Sequence, residues 1–203
     1  ELIGGEVVGL DKGINCLAVV TNGKKQMFFK GGKVKQIKNK YRKSRASLQK
    51  KKAEHKENGK RTHSVTRVLK RLSGRENRFM RDVNHCVSKK VVEFAVNNHV
   101  ATIAGEKLEG IRDSASDKGK RMRKMINGWS FYQLQSFIAY KAARHGIKVE
   151  ELDPAYSSQG CSDCGYTAKS NRVKHSFKCG ECGYQLHSDL NASRNMRLRS
   201  IVA

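Results

Sequence analysis

Apolar residues cluster along this chain, and the spacing inside each cluster changes with position. Residues 6–11 (EVVGLD) form a short apolar run that ends in an aspartate. Gly13 permits a turn, residues 16–20 (CLAVV) form a second run, Asn22-Gly23 is a hairpin signal, and residues 26–30 (QMFFK) return. This predicts a three-stranded antiparallel meander. From there the apolar positions thin out to Val34, Ile37, Tyr41 and Leu48, then Val65, Val68 and Leu72. Their spacing predicts two exposed helices joined around Asn58-Gly59. Residues 76–99 continue as helix, because Phe79, Val83, Val87, Val91 and Phe94 recur every three or four positions. VATIAGE (100–106) reads as a buried strand, and 112–128 as a mobile basic loop. Phe131, Leu134, Ile138 and Ala142 mark another helix that Gly146 would stop, 147–152 a strand, and 189–199 a last short helix. The order predicts an α/β fold with a mixed sheet.

Charge changes the picture. The 203 residues carry 42 Lys and Arg against 18 Asp and Glu, a net charge of +24. Such an excess speaks of a polyanionic partner. It is concentrated: residues 24–75 hold twenty Lys or Arg and two acids, Glu54 and Glu57. An ordinary solvated face mixes both signs, so the two helices read as a phosphate-tracking element, with Lys43, Arg45, Lys50, Lys51, Lys52, Arg71 and Arg75 as candidate contacts. A membrane surface fits less well, since these helices lack the Trp/Phe/Leu face of an interfacial helix. No stretch approaches the ~18 consecutive apolar residues of a membrane span, and residues 1–10 lack a signal-peptide pattern. Pro154 is the single proline, which excludes Pro-rich linkers. The chain opens on Glu1 and enters a strand almost at once, so further protein is expected upstream.

The cysteines divide into two kinds. Cys16 and Cys86 sit singly among apolar neighbours and read as buried thiols. Cys161, Cys164, Cys179 and Cys182 form Cys-x-x-Cys, fourteen residues, Cys-x-x-Cys, with Gly165, Gly180 and Gly183 where tight turns need them. A two-residue gap lets both sulfurs of a knuckle reach one ion, so the motif predicts a four-thiolate Zn²⁺ site. Four sulfurs leave no open position for water, which makes the site structural. A segment this short has too little core, and the metal must supply its folding free energy.

Acids are scarce enough for their positions to matter. Asp11 ends the first strand, Glu106 ends a later strand and Asp189 opens the final helix. Strand ends of a mixed sheet lie close together, and a helix packed beneath could bring a third carboxylate to the same point. Three carboxylates would repel unless cations held them, and Mg²⁺ suits such a cluster. Two ions roughly 4 Å apart would activate a water and steady the leaving oxygen of a phosphodiester. Asp189 read alone could equally be a helix N-cap.

The segments GLDKGINCLAVVTNG (9–23), RLSGRENRFMRDVNHCVSKKVVEFA (71–95), IAGEKLEGIR (103–112), WSFYQLQSFIAYKAARHGIKV (129–149), DPAYSSQGCSDCGY (153–166) and NRVKHSFKCGECGYQLHSDLNASRN (171–195) together cover most of the chain. In this order they resemble the RuvC-like nuclease half of the transposon-encoded TnpB proteins (insertion-sequence OrfB proteins) and the related compact type V CRISPR effectors. The resemblance implies an RNase H-like (RuvC) mixed sheet with a zinc-ribbon insert. The nuclease core would span 1–155 with a basic helical insert at about 35–99, the ribbon 156–185, and the final catalytic helix 186–203. It implies that Asp11, Glu106 and Asp189 are the catalytic acids, holding Mg²⁺ or Mn²⁺, and that Arg172 sits beside them. It further implies a guide RNA, a DNA substrate cut beside a short flanking motif, and a prokaryotic cytoplasmic setting. The family's N-terminal RNA-binding and motif-reading region has no counterpart here, and Lys12 stands where the family often has an apolar residue. A guided binder that does not cut and a strand-joining transposase are the alternatives.

Overall fold

The computed structural model describes residues 6–107 and 129–202. Residues 112–128, read from sequence as a mobile loop, lie outside the described residues. The described chain divides into two compact units, one running through Lys30 and resuming at His85, the other covering Gly31–Asn84.

The first unit is organised by a five-stranded sheet. Its strands are β1 (Glu6–Asp11), β2 (Cys16–Thr21), β3 (Gln26–Lys30), β4 (Val100–Glu106) and β5 (Lys148–Leu152), in the order β3-β2-β1-β4-β5. β1 to β3 form the expected antiparallel meander, while β4 runs parallel to β1 and β5 parallel to β4. This is the mixed, RNase H-like sheet. Val8, Leu10, Ile103 and Ala104 are fully buried on adjacent central strands, as parallel neighbours covered on both faces require. Helix α3 (Phe131–Ala143) buries Phe131, Leu134, Ile138 and Ala142, the predicted stripe, and Gly146 follows it at φ 68°. Helix α4 (Ser188–Val202) lies across β1, β2 and β4.

The approach of α4 to β1 positions the site. Ser193 Oγ donates to the Gly9 carbonyl at 2.7 Å, and Arg197 Nε to the Val7 carbonyl at 3.0 Å. Four helical residues rise about 6 Å and two strand residues about 6.6 Å. Stepping back four residues along α4 while advancing two along β1 therefore brings Asp189 level with Asp11. The close approach requires glycine at position 9: a Cβ there would stand 1.8 Å from the Ser193 carbonyl oxygen. Gly9→Ala is expected to lose at least about 3 kcal/mol of stability, the upper end for overpacking, because backbone rather than a flexible side chain must yield. Urea unfolding measures it, and an unchanged midpoint would refute the account of this contact.

The second unit holds α1 (Gly32–Glu57) and most of α2 (His63–Asn97). They are joined at Asn58-Gly59, with Gly59 at φ 66°, as the sequence predicts. The pair is tied by Arg45 with Glu76 and by Tyr41 tilted against Phe79, ring centroids 6.4 Å apart. Cys86, expected to be buried, is exposed. Its apolar neighbour Val87 is rotated about 100° from it on a helix, so adjacency in sequence does not place both on one face. No helix among the described residues is long and apolar enough to cross a membrane.

Candidate active site

Parallel pairing of β1 with β4, in the register Leu10 to Gly105, brings Asp11 and Glu106 side by side at the carboxyl ends of their strands. That end of an open α/β sheet is where ligand crevices form. Asp189 enters from the first turn of α4, where a carboxylate is favoured by the helix dipole. The three acids line one cavity of about 280 Å³, together with Lys12, Pro154, Ser157, Ser158 and Arg172. Glu106 and Asp189 both act on Asp11 and disfavour its ionised form. Arg172 Nη2 lies 3.4 Å from Asp189 Oδ1. Burial pushes the Asp11 carboxyl well up, and the Glu106 hydrogen bond and the Glu106 and Asp189 charges add to it, against the pull of Arg172. Such a site is short of positive charge, and its donors are hard oxygens, the set that suits a hydrated divalent cation.

Lys12 is 5% exposed, next to Asp11. Its Nζ donates to the Glu106 carbonyl at 3.0 Å and to Gln135 Oε1, and Gln135 Nε2 donates to Glu151 Oε1 at 3.1 Å. The strand ends that carry Asp11 and Glu106 are thus tied together from within. Burial pushes the Lys12 ammonium down to about 8, against the pull of Glu106, Glu151 and Asp11. Unfolded lysine titrates at about 10.4. Between those two values the unfolded chain keeps a proton that the native state has released, so this residue makes stability rise with pH across that window. Lys12→Met is expected to remove on the order of 1–3 kcal/mol of that rise. Denaturant midpoints of the two proteins at about pH 8 and pH 10 check it, and parallel curves would rule it out.

The four cysteines meet. All four sulfurs lie within 4.8 Å of one another, with Cys161 to Cys182 at 3.8 Å and Cys164 to Cys179 at 3.6 Å. Sulfurs about 2.3 Å from a tetrahedral ion would stand about 3.8 Å apart. The two knuckles share one backbone pattern: Cys161 N–H donates to the Tyr166 carbonyl and Cys179 N–H to the Tyr184 carbonyl, both at 2.9 Å. Gly165 and Gly183 take the left-handed positions, at φ 80° and 73°. Asn171 joins the knuckles, receiving the Gly180 N–H at 3.0 Å and donating to the Gln159 carbonyl at 3.0 Å. A three-stranded sheet, β6 (Arg172–Val173), β7 (Ser176–Lys178) and β8 (Gln185–His187), completes the ribbon around buried Phe177. β8 runs directly into α4, and Ser188 N–H donates to the His175 carbonyl at 2.9 Å, so the ribbon holds the turn that presents Asp189.

The predicted phosphate contacts lie on α1 and α2. Arg71 and Arg75 line a second concavity of about 390 Å³ with Arg67, Lys70, Gly74 and Arg78. Its lining holds five cations from one helix and no acid, since Glu76 on the same helix is paired with Arg45. Lys43, Lys51 and Lys52 stand on α1, Lys50 pairs with Glu54 at 3.8 Å, and Arg45 is engaged by Glu76.

Sequence reading noted Lys12 only as a departure from the family pattern, and it missed Gln135 and the neighbourhood of Cys16. Gln135 had a signal: it is polar and buried on the apolar stripe of α3. Cys16, read as an inert buried thiol, is buried but faces Asp189 and His187. Burial, with the Asp189 charge and hydrogen bond, pushes this thiol up to about 11.

Residues 2–112 match the family model OrfB_IS605, described as "Probable transposase", and residues 131–196 match the Cas12f1-like TNB domain. A CRISPR-associated endodeoxyribonuclease Cas12f1 of Syntrophomonas palmitatica is 34% identical over 185 residues, 88% of this chain and 36% of that protein. A TnpB-like protein of Methanocaldococcus jannaschii is 31% identical over 168 residues, 83% of this chain and 58% of that protein. The chain thus spans between about a third and three-fifths of these relatives' length. A cryo-EM structure of a Cas12f1–sgRNA–target DNA complex shares the fold, with a TM-score of 0.72 at 21% identity over 94% of this chain and 49% of that one. With the transposase model covering more than half of its residues, the chain belongs to the OrfB_IS605 (TnpB) family.

Proposed function

We propose that this chain carries the phosphodiester-cleaving part of a transposon-associated, RNA-guided DNA endonuclease. The observation that carries this reading is the convergence of Asp11, Glu106 and Asp189, from two strand ends and a helix start, on one cavity that also holds Arg172. Relatives bearing endodeoxyribonuclease names agree with it. Asp11, Glu106 and Asp189 would hold Mg²⁺ or Mn²⁺, which when bound supplies a Lewis acid for a phosphoryl oxygen and lowers the pKa of a coordinated water. Arg172 offers a guanidinium to a non-bridging phosphate oxygen in the same cavity. Lys12 keeps the two acid-bearing strand ends in register from behind. Cys161, Cys164, Cys179 and Cys182 would hold a structural Zn²⁺, and no open coordination position remains there for chemistry.

The basic helices supply the sequence-independent grip. Arg67, Arg71, Arg75 and Arg78 recur at three- and four-residue steps and, with Lys70, line a trough at Gly74. Such a stripe matches the backbone of the guide RNA or of its DNA target.

The test incubates the chain with guide RNA and complementary DNA, with and without Mg²⁺. Cleavage is expected only with the divalent ion. DNA affinity is expected to fall with salt, at a log–log slope of about −0.9 per phosphate contact on duplex. Salt-sensitive binding that persists while Mg²⁺ yields no cut strand would overturn the nuclease reading and leave a guided binder.

A further inference from the structure

Cys16 opens β2, His187 closes β8, and Asp189 stands in the first turn of α4. One ligand atom from each lies within 4.8 Å of the other two. Cys16 and Asp189 are each 7% exposed. The His187 ring is held by the edge of Phe28, centroids 5.3 Å apart, and by His175 stacked at 5.8 Å. These donors come from three elements and are oriented before any ion arrives. Cys16 also packs with Val19 and Leu190, which alone would make it a small hydrophobe. A hydrophobe does not require its sulfur to face an imidazole and a carboxylate.

A thiol, an imidazole and a carboxylate form the donor set of a borderline-soft ion. Mg²⁺ takes oxygen and rejects sulfur, so this set differs in kind from Asp11 and Glu106. We propose that Cys16, His187 and Asp189 form a second metal site, for a thiophilic divalent ion such as Zn²⁺, and that filling it withdraws Asp189 from the nuclease cavity. Binding releases the Cys16 thiol proton to solvent as the metal–sulfur bond forms, with no change of oxidation state. The long contact from Asp189 N–H to His187 Nδ1, 3.3 Å, is a hydrogen bond that ligation through that nitrogen would displace. Lys30 favours the Cys16 thiolate, whereas Arg172 already holds Asp189 in an ion pair at 3.4 Å. The site therefore has to compete with an ion pair for Asp189, which makes its filling depend on metal concentration.

The withdrawal of Asp189 rests on the nuclease reading; the metal site does not. The test uses the full chain with its four-cysteine site already filled by Zn²⁺. Added Co²⁺ is expected to produce a thiolate-to-cobalt charge-transfer band in the wild-type chain. Cys16→Ser is expected to lose the band, and His187→Gln to weaken binding at least roughly tenfold. Circular dichroism confirms that each variant is folded, and either one alone suffices to decide. No band in the wild type, or the same band in a folded Cys16→Ser chain, overturns the site. In the second arm, Zn²⁺ titrated into the Mg²⁺-dependent cleavage reaction is expected to slow the wild type at lower concentration than Cys16→Ser. Equal inhibition of both overturns the competition. Absence of cleavage in every sample sinks the nuclease reading alone, because the charge-transfer band is read without DNA.

Discussion

Asp11→Asn is expected to abolish divalent-dependent cleavage and, in the same protein, to raise the stability of the chain when Mg²⁺ is withheld. The two effects share one cause. Asp11 is 8% exposed and stands against Glu106 and Asp189, so its ionised form is disfavoured. Its native pKa lies well above the ordinary aspartate range. The native state therefore binds this proton more tightly than the unfolded chain does. The stability this contributes is fully present below the unfolded pKa and is lost as pH rises through the folded one. Asparagine keeps the shape, carries no charge at any pH, and removes that loss. Without Mg²⁺, the melting temperature should rise by a few degrees, since 1 kcal/mol moves a chain of this size by about 2–4 °C. Added Mg²⁺ should stabilise the wild type by mass action and leave Asp11→Asn almost unmoved. Cleavage should fall on the order of 10³-fold or more, as when one member of a co-operating site is removed. Calorimetry without and with added Mg²⁺, the four-cysteine site staying filled by Zn²⁺, beside a cleavage assay, reads all three. A variant that is less stable without Mg²⁺, or that still cuts, would contradict the assignment of Asp11.

What could be read from sequence followed the range of the interaction. The meander needed only apolar runs, Gly13 and Asn22-Gly23, and it formed at 6–30 as expected. The ribbon was legible because four thiols that converge on one point need a fixed local spacing, whatever surrounds them. Asp11 and Glu106 could be placed at strand ends, but their side-by-side register depends on β1 pairing with β4 across the whole of α1 and α2. No local pattern encodes that pairing. Asp189 was harder still, because its height against Asp11 is set by Gly9 meeting the Ser193 backbone. Neither residue looks chemical in the sequence. Lys12 and Gln135 were hidden for the opposite reason: each breaks a local rule, and only the partner makes sense of the breach. The two acid-bearing strand ends, the ribbon and the helix start come from separate segments, so a single pocket emerges only when the sheet closes.

That dependence gives the second large effect, which is removal of the Zn²⁺ proposed for the four cysteines. The ribbon's apolar interior is Phe177 with Cys161 and Cys179, covered by Tyr184. This is far too little to balance the conformational entropy of some thirty residues. Binding of a structural Zn²⁺ supplies about 10–16 kcal/mol in comparable four-ligand sites, so chelation should unfold the ribbon outright. The loss should then travel into α4. Asn191 Oδ1 accepts from Ser162 N–H at 3.0 Å, and Asn195 Nδ2 donates to the Ser157 carbonyl at 2.7 Å. Ser188 Oγ donates to the Lys174 carbonyl at 3.2 Å, and Arg172 pairs with Asp189. All of these partners belong to the segment that melts. The lower part of α4 keeps Ser193 on Gly9 and Arg197 on Val7, and the central strands keep their own core. Hydrogen exchange after chelation should therefore show lost protection from about residue 157 through the first turn of α4, with β1 and β4 still protected. Cleavage should drop at least about 100-fold, because a carboxylate displaced by even an ångström no longer serves the reaction. Cys179→Ser should behave like the chelated chain, and Zn²⁺ should restore the wild type but not the variant. Cleavage that survives chelation while the ribbon is melted would mean that α4 holds Asp189 in place unaided, and that the ribbon serves something other than the geometry of the three acids.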